Sequence, residues 1–232
     1  MNPGNAKNFA YRKENNILLE RYKAIYFPVP KVASSSLKVV FSDALGLTPP
    51  DPQNPTSQPH KRDFPFAERD RVAADYADYF KFAVVRNPFS RILSCYRNKV
   101  ANHRVNNPSF VNGIHKGFQR YGDTFKHDMP FDDFLRAIAS IPDKEADNHF
   151  KSQFTFVSDS QGRLLIDYAA KFERLADEVA YIFDKIGLVG VTLPHLLNSG
   201  KSPEYRESYS EEGRKLMYKR YAKDFELFNY AF

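Results

Sequence analysis

The segment "PKVASSSLK", residues 30–38, places one lysine and three consecutive serines close together. A lysine supplies a compact positive charge, and serine hydroxyls and backbone N–H groups supply hydrogen-bond donors. Donors of this kind bind anions where a loop leads into the N-terminus of a helix. The GxxxxGK[ST] pattern of a Walker A loop is absent. Lys31, Ser34, Ser35 and Ser36 therefore predict an anion-binding loop, with helix capping by the serines as the alternative.

A second set of anion-binding groups follows in "VVRNPFSRILSCYRNK", residues 84–99. Arg86 comes directly after an apolar run, and Ser94 lies between Arg91 and Arg97. A guanidinium group together with a hydroxyl is a suitable receptor for phosphate. This pair therefore predicts a second anion site, although Arg97 could equally be a solvated helix residue.

Both candidate loops follow a predicted strand and precede a predicted helix. "AIYFPV", residues 24–29, is typical of a buried strand, and apolar spacing predicts a helix over 35–45. The same order recurs as a strand over 81–85 and a helix from Phe89. Ligands bind at the carboxyl ends of the strands in parallel sheets. We therefore expect both loops to lie at the edge of the sheet where a ligand binds.

The later chain continues this alternation of strands and helices. An amphipathic helix is predicted over 129–141, and residues 147–157 are polar first and then strand-like. A strand, a turn and a helix are predicted over 164–188, and a final helix over 210–230 with Ser210 as its N-cap. This order predicts an α/β fold with a mostly parallel central sheet flanked by helices.

Three stretches do not fit regular elements. Residues 1–22 are predicted to be a polar arm with a short helical piece, and residues 104–127 to be irregular. Residues 48–70 contain five prolines between positions 49 and 59, which regular helices and central strands exclude. We interpret this Pro-rich loop as a flap on the acceptor side or a variable surface insertion. The whole chain of 232 residues is predicted to be a single domain.

Composition limits the class of protein. A net charge of +6 favours anionic ligands without requiring nucleic acid. The single cysteine, Cys95, predicts a small buried residue and no internal disulfide, and neither CxxC nor HExxH spacing predicts a metal site. The N-terminus lacks the apolar stretch of a signal peptide, and no 18-residue apolar run predicts a membrane span. We therefore expect a cytoplasmic protein.

Five motifs in this order resemble those of sulfotransferases that use 3′-phosphoadenosine 5′-phosphosulfate (PAPS). "PKVASSSLK" resembles the 5′-phosphosulfate loop, and "VVRNPFSRILSCYRNKV" resembles the 3′-phosphate motif. "DNHFKSQ" is similar to the H-x-x-P-Q segment, with Ser152 in place of proline. "DYAAKFERL" and "YAKDFELFNY" resemble a later strand and the C-terminal helix. The resemblance spans about residues 23–230 and favours the carbohydrate (Golgi-type, family 2) branch, as a soluble bacterial-type member.

The resemblance implies a three-layer fold like that of the P-loop NTPases, with PAPS as co-substrate, PAP as product and no metal. By position, the family's cofactor-binding roles fall on Lys31, Ala33, Ser34, Ser35, Ser36, Arg86, Ser94 and Lys201. Lys31 would contact the oxygen that bridges sulfate and 5′-phosphate. The Ala33–Ser36 segment would surround the phosphosulfate, Arg86 and Ser94 would bind the 3′-phosphate, and Lys201 would reach the cofactor from a late loop.

The proton of an acceptor hydroxyl requires a base, and histidine is suited to that task near neutral pH. The chain contains six histidines, His60, His103, His115, His127, His149 and His195. The resemblance assigns the role to His149, and for the other five we expect surface or structural roles. Asp147 and Glu145 are alternative bases.

Together these features predict metal-independent, in-line transfer of a sulfuryl group from PAPS to an acceptor hydroxyl, on a saccharide or a glycosylated small molecule. One alternative is a P-loop-type nucleotide kinase or phosphotransferase, which the missing GK[ST] disfavours. Another is a non-catalytic anion-binding module on the same fold. The acceptor, O- or N-sulfation and the oligomeric state are left open.

Overall fold

The computed structural model of the chain describes residues 15–47, 63–101, 107–193 and 203–232. These residues form two compact units. Unit 1 contains the described residues up to Val85 and those from Thr155 to position 193, and unit 2 contains Arg86–Phe154 and the residues from 203 onward. The single-domain organisation stays a prediction.

The described residues form strands and helices in alternation. The strands are β1 Asn15–Leu19, β2 Ala24–Phe27, β3 Phe66–Glu68, β4 Phe80–Val85, β5 Phe110–Val111, β6 Ile114–His115 and β7 Tyr168–Lys171. The α-helices are α1 Ser34–Ala44, α2 Val72–Asp75, α3 Pro88–Lys99, α4 Phe131–Ser140, α5 Phe154–Val157, α6 Leu175–Lys185, α7 Glu211–Arg220 and α8 Ala222–Leu227. A 3₁₀ segment spans Lys116–Thr124 and is kinked at Gly122, whose backbone is non-helical with φ of 56° and ψ of −132°.

Unit 1 is built on a five-stranded sheet in the order β3-β1-β2-β4-β7. The strands β2, β4 and β7 are parallel, with Phe27 opposite Ala83 and Val85 opposite Lys171. The strands β1 and β3 extend one side of the sheet in antiparallel pairing. The predicted α/β class with parallel central strands is confirmed, and β2 and β4 end at the same edge of the sheet.

Aromatic packing fastens two helices to one face of this sheet. Tyr26 and Phe82 are neighbours across β2 and β4, and their rings stack with centroids 5.4 Å apart. Phe41 of α1 lies 5.4 Å from the Tyr26 ring and 6.2 Å from Phe183 of α6. All residues of β2 are buried, so both faces of this strand are covered. The sheet and α1 therefore hold the loop between β2 and α1 in a defined position.

Unit 2 has its own core, which is rich in phenylalanine. The fully buried Phe118 and Phe150 have ring centroids 5.4 Å apart, and Phe125 lies 4.9 Å from Phe118. The helix α4 contributes Phe134 to this cluster and packs against α7. Edge-to-face and offset aromatic pairs of this kind stabilise a core beyond the burial of their area. This core supports the segment that contains His149.

Two segments predicted to be irregular contain strands. Asn15–Leu19, within the predicted polar arm of 1–22, pairs with β2, and Asn16 to Leu19 are buried. Phe66–Glu68, within the predicted loop of 48–70, pairs with β1 at the edge of the sheet. A strand immediately after Pro65 is compatible with an edge position, where proline is tolerated. Residues 1–14 and 48–62 lie outside the described ranges.

Three further predictions are wrong in detail. The strand-like 154–157 segment is helix α5, because the Asp224 carboxylate accepts a hydrogen bond from the Phe154 N–H at 2.8 Å and caps its start. The predicted final helix is interrupted at Tyr221, whose buried side chain donates a hydrogen bond to the Phe150 carbonyl. The described part of 104–127 includes the β5–β6 hairpin. Ser210 is confirmed as an N-cap.

Candidate active site

The predicted anion-binding loop connects β2 to α1 in unit 1. Helix α1 begins at Ser34, and its N-cap is Ala33, which has no side-chain acceptor. The serines therefore occupy the first helical positions, and the capping alternative is wrong for this helix. The first N–H groups of a helix have no partner within the helix and point out of its N-terminus. Residues Ser34 to Ser36 are half-buried, so these N–H groups and hydroxyls face a partly open site.

Two residues of this loop have a left-handed backbone. Lys31 has φ of 73° and Ala33 has φ of 61°. A residue with a side chain in this region costs about 1–2 kcal/mol relative to the right-handed region. Such conformations turn successive N–H groups toward a common centre and form concave anion sites. The strained backbone at Lys31 and Ala33 therefore supports anion binding by this loop.

A buried hydroxyl lies behind the same loop. The Tyr26 side chain is fully buried, and among the described residues its hydroxyl has no hydrogen-bond partner of good geometry. Burial raises the pKa of Tyr26, while the neighbouring Ser34 hydroxyl opposes this shift. The Tyr26 and Ser34 hydroxyls are therefore adjacent.

The second predicted anion motif starts at the residue after β4. The Arg86 guanidinium donates a hydrogen bond from Nε to Ser90 Oγ at 2.8 Å. Ser94 follows Ser90 by four residues and therefore lies on the same side of α3. The structure thus places Ser90, which the sequence reading missed, between the two predicted residues. The spacing of positions 86, 90 and 94 could have indicated this contact. The side chain of a residue just before a helix can reach the first turn of that helix, where Ser90 lies.

Gln153 fixes the backbone of Arg86 in unit 2. Its Oε1 accepts a hydrogen bond from the Arg86 N–H at 2.9 Å, and its Nε2 donates one to the Arg86 carbonyl at 2.8 Å. Asp224 in turn accepts a hydrogen bond from the Gln153 N–H at 2.8 Å. Burial raises the pKa of Asp224 to about 6, and the backbone donors at Gln153 and Phe154 oppose that shift. Three of the five motifs are thereby joined through side chains.

Arg91 holds the segment around His149. Its guanidinium is fully buried and donates hydrogen bonds to the carbonyls of Lys151 at 2.8 Å and Asn148 at 3.2 Å. Burial lowers the pKa of Arg91, and the charge of Asp224 opposes this shift. Arg91 therefore positions the backbone on both sides of His149, whereas Arg97 is exposed.

His149 forms a dyad with Asp147. The distance between His149 Nδ1 and Asp147 Oδ1 is 2.6 Å, and the same oxygen accepts the His149 N–H at 2.9 Å. Burial raises the pKa of Asp147, but the hydrogen bonds and charge of His149 outweigh this and lower it to about 2. Asp147 is thus an ionised partner that orients the imidazole. Glu145 is exposed and paired with Lys144 at 3.7 Å.

The serine that replaces the family's proline has its own contacts. The Ser152 N–H, which proline would lack, donates to Asp143 Oδ1 at 2.9 Å. Arg220 donates to Ser152 Oγ at 3.1 Å and to Asp143 Oδ1 at 2.7 Å. This network replaces the rigidity of proline with three hydrogen bonds, so the departure at Ser152 leaves the path from His149 to Gln153 well determined.

The other histidines, the cysteine and Lys201 lie in different parts of the chain, and some of them lie outside the described residues. His115, for which no functional role was expected, has its ring centroid 5.0 Å from that of His149. His127 pairs with Asp128 at 2.7 Å, and Cys95 is confirmed as a buried residue. Lys201 and three histidines lie outside the described residues, namely His60, His103 and His195.

Within the described parts of the chain, no group of three or more His, Cys, Asp or Glu side chains is arranged to hold a metal ion. Of the helices described there, none is long and apolar enough to cross a membrane.

Comparison with known proteins extends over nearly the whole chain. The sequence model described as "Sulfotransferase family" matches residues 15–231. Carbohydrate sulfotransferase 10 of Xenopus laevis is 24% identical over 261 residues, which cover 98% of this chain and 72% of that protein. Its Homo sapiens counterpart is 24% identical over 257 residues, covering 97% of this chain and 70% of that protein. No solved structure shows a significant match.

A second type of relative matches a smaller share of the chain. Carbohydrate sulfotransferase 14 of Danio rerio is 25% identical over 175 residues, which cover 72% of this chain and 47% of that protein. The nucleotide-kinase alternative receives no support from these comparisons. Because the family model covers residues 15–231, the chain belongs to the sulfotransferase family, whose enzymes transfer a sulfuryl group from PAPS.

Proposed function

We propose that this enzyme transfers the sulfuryl group of PAPS to a hydroxyl of a saccharide. The observation that carries the hydroxyl as acceptor is the His149–Asp147 dyad, because a hydroxyl must lose its proton during transfer. The saccharide is supported by the relatives, which are named carbohydrate sulfotransferases. The strand-loop-helix order of β2 and α1 supports the P-loop-like fold that the family resemblance implies.

The donor side of the reaction falls to the loop between β2 and α1. In the transfer, the bond from sulfur to the 5′-phosphate oxygen breaks and a bond from sulfur to the acceptor oxygen forms. Negative charge therefore grows on the departing phosphate. The Lys31 ammonium and the N–H groups of Ser34 to Ser36 stabilise this charge, since fixed donors aimed at a developing charge need no reorganisation. The donor set fits a phosphosulfate in charge and in hydrogen-bonding type.

The acceptor side falls to the dyad. In the neutral imidazole, Nδ1–H donates to Asp147, and Nε2 carries the lone pair that accepts a proton. His149 would take the proton of the acceptor hydroxyl through Nε2 while Asp147 holds the tautomer and stabilises the resulting imidazolium. We assign the 3′-phosphate to Arg86 and Ser94, with Ser90 as the residue that orients the guanidinium.

Labelled PAPS and a panel of saccharide acceptors test this function. We expect sulfated product from the wild-type enzyme and loss of kcat on the order of 10²-fold or more in Lys31→Ala and in His149→Ala, the scale of a lost donor or base. PAP should raise the melting temperature without Mg²⁺, because a ligand of the folded state stabilises it. His149→Ala should keep this shift, since it removes no donor-side group.

Lys185→Ala, a change of an exposed lysine in α6, is the matched control and should retain wild-type kcat. No product from any acceptor, together with a PAP shift, would favour the non-catalytic anion-binding module. Stabilisation by ATP with Mg²⁺ but not by PAP would overturn the PAPS assignment. A cytoplasmic location stays a prediction from the sequence.

A further inference from the structure

His115 lies against the proposed base. It is half-buried in β6, and its ring meets the His149 ring at an interplanar angle of 74° with centroids 5.0 Å apart. The two residues are 34 positions apart, so this contact is a product of the fold of unit 2. No step of the proposed transfer has so far used His115.

The His115 ring is held from several directions. Its Nδ1 accepts a hydrogen bond from the Gly117 N–H at 3.2 Å, which makes His115 the N-cap of the 3₁₀ segment Lys116–Thr124. Phe110 and Phe118 make edge contacts with the same ring at centroid distances of 5.6 and 6.1 Å. The imidazole therefore has one orientation, and its neutral form carries the proton on Nε2 because Nδ1 is an acceptor.

Gly117 brings the backbone into contact with both His115 and Asp147. A Cβ at this position would lie 2.7 Å from Asp147 Oδ2 and 3.1 Å from His115 Nδ1. Distances below 3.0 Å require one of the groups to move, so a side chain at position 117 would displace the Asp147 carboxylate from its present place. His115, Gly117, Asp147 and His149 thus form one contiguous cluster.

A single hydrogen bond does not determine the orientation of an imidazole. Asp147 contacts the His149 ring at Nδ1, and that hydrogen bond alone leaves rotation about it undetermined. A second contact with the ring, from a side chain that is itself fixed, removes this freedom. A base displaced by about 1 Å from its productive position can lose on the order of 10²-fold in rate.

We propose that His115 is a positioning residue for His149, and that Gly117 is required to place it. The proposal rests on the proposed function of His149 as the base. His115 fixes the plane of the His149 ring while Asp147 fixes its tautomer, so Nε2 points to one place.

Two substitutions of His115 separate ring contact from helix capping. His115→Asn keeps a side-chain acceptor for the Gly117 N–H and removes the ring. His115→Phe keeps an aromatic ring and removes the acceptor. If His115 positions the base, kcat falls about 10-fold or more in His115→Asn with KM within about 2-fold, and His115→Phe restores kcat to within about 3-fold of wild type.

The opposite order, with normal kcat in His115→Asn and a loss in His115→Phe, would show that His115 acts only as a cap and would overturn the proposal. Gly117→Ala should lower kcat as much as His115→Asn, and a wild-type kcat there would also count against it. Lys126→Ala, a change of an exposed lysine in unit 2, is the control and should leave kcat unchanged.

An NMR measurement of the His149 side chain tests the positioning role of His115 independently of sulfuryl transfer. Side-chain ¹H–¹⁵N NMR of the whole protein should show His149 as a single Nδ1–H tautomer in the wild type. His115→Asn should keep this tautomer, which Asp147 holds, and should broaden the His149 signals because the ring samples more orientations. An unchanged His149 spectrum in His115→Asn would refute the positioning role even if sulfuryl transfer is confirmed. Normal turnover in His149→Ala would refute the proposed base, and the NMR measurement would still report whether His115 orients the His149 ring.

Discussion

Replacing Gln153 with leucine tests whether this buried amide holds the 3′-phosphate motif in place. Its two hydrogen bonds to the Arg86 backbone are 2.9 and 2.8 Å long, and the Gln153 side chain is fully buried. In Gln153→Leu, both the N–H and the carbonyl of Arg86 lose their partner. Leucine has a similar size, so the loss of hydrogen bonds dominates the loss of packing.

The expected size of the effect follows from these two groups. Leaving a buried polar group without a partner costs about 1–3 kcal/mol, so two groups cost about 2–6 kcal/mol. Burial of the leucine side chain offsets about 1 kcal/mol of this cost. We therefore expect a loss of about 3 kcal/mol in the free energy of unfolding.

Urea unfolding followed by circular dichroism measures the loss in stability. Isothermal titration with PAP, at a temperature where both proteins are folded, measures the effect on the site. We expect the Kd for PAP to rise about 10-fold or more, because a bidentate guanidinium contact depends on its orientation. Gln119→Leu makes the same change at an exposed position of unit 2 and should shift stability by no more than about 0.5 kcal/mol.

A change in Gln153→Leu of less than about 1 kcal/mol would refute the reasoning, since it would mean that water replaces both hydrogen bonds. A loss of stability with an unchanged Kd for PAP would instead show that Arg86 does not bind the 3′-phosphate.

Two further predictions concern the surroundings of His149. The pKa of Asp147 lies at about 2, below its ordinary 3.8, so its ionised form stabilises the fold above pH 4 and this contribution is lost as the pH falls toward 2. Urea unfolding should therefore show Asp147→Asn about 2 kcal/mol less stable than wild type at pH 6, with a gap that narrows on acidification, and a constant gap would contradict this linkage. Arg91→Lys should lower both the melting temperature and kcat, since one ammonium cannot serve two carbonyls in the guanidinium geometry and an unpaired carbonyl costs about 1–3 kcal/mol. Arg97→Lys on the exposed side of the same helix should change neither, and equal effects of the two substitutions would remove the positioning role of Arg91.

The elements that carry the anion motifs were predictable because their signals are local. The apolar run before Pro30 predicts β2, and the spacing of Leu37, Val40 and Phe41 predicts α1 within one residue of its observed start. The prolines, glycines and caps that end these elements are also local. The order of strand, loop and helix is therefore readable from the sequence.

The pairing of short segments was not predictable in this way. The strand β1 is five residues long. Its pairing with β2 and β3 depends on residues that lie far from it in the chain, and its own sequence does not reveal these partners. Helix α5 depends on a carboxylate 70 residues later in the chain, Asp224, which binds its first N–H groups. Sequence periodicity in four residues cannot distinguish a short helix from a strand when its cap comes from elsewhere.

The site shows the same division. Lys31, Arg86 and His149 were predicted through residue type and motif order, and their roles stay predictions. The residues that orient two of them, Gln153 and Asp147, were present in the quoted motifs, but their roles depend on distances that no spacing reveals. The contact between His115 and His149 was not predicted, because 34 residues separate the two in the chain and only the fold of unit 2 brings them together.

The hydrogen bonds between Arg86 and Gln153 also join the two ends of the segment Arg86–Phe154. A segment with adjoining ends can be exchanged or altered in length with little demand on the rest of a protein. Because the Arg86 partner atoms are backbone atoms, the junction needs a glutamine at position 153 and tolerates variation around it. Because segment 86–154 shares its core with Met217 and Tyr221, a chimaera between relatives that exchanges this segment should take residues 203–232 from the same parent.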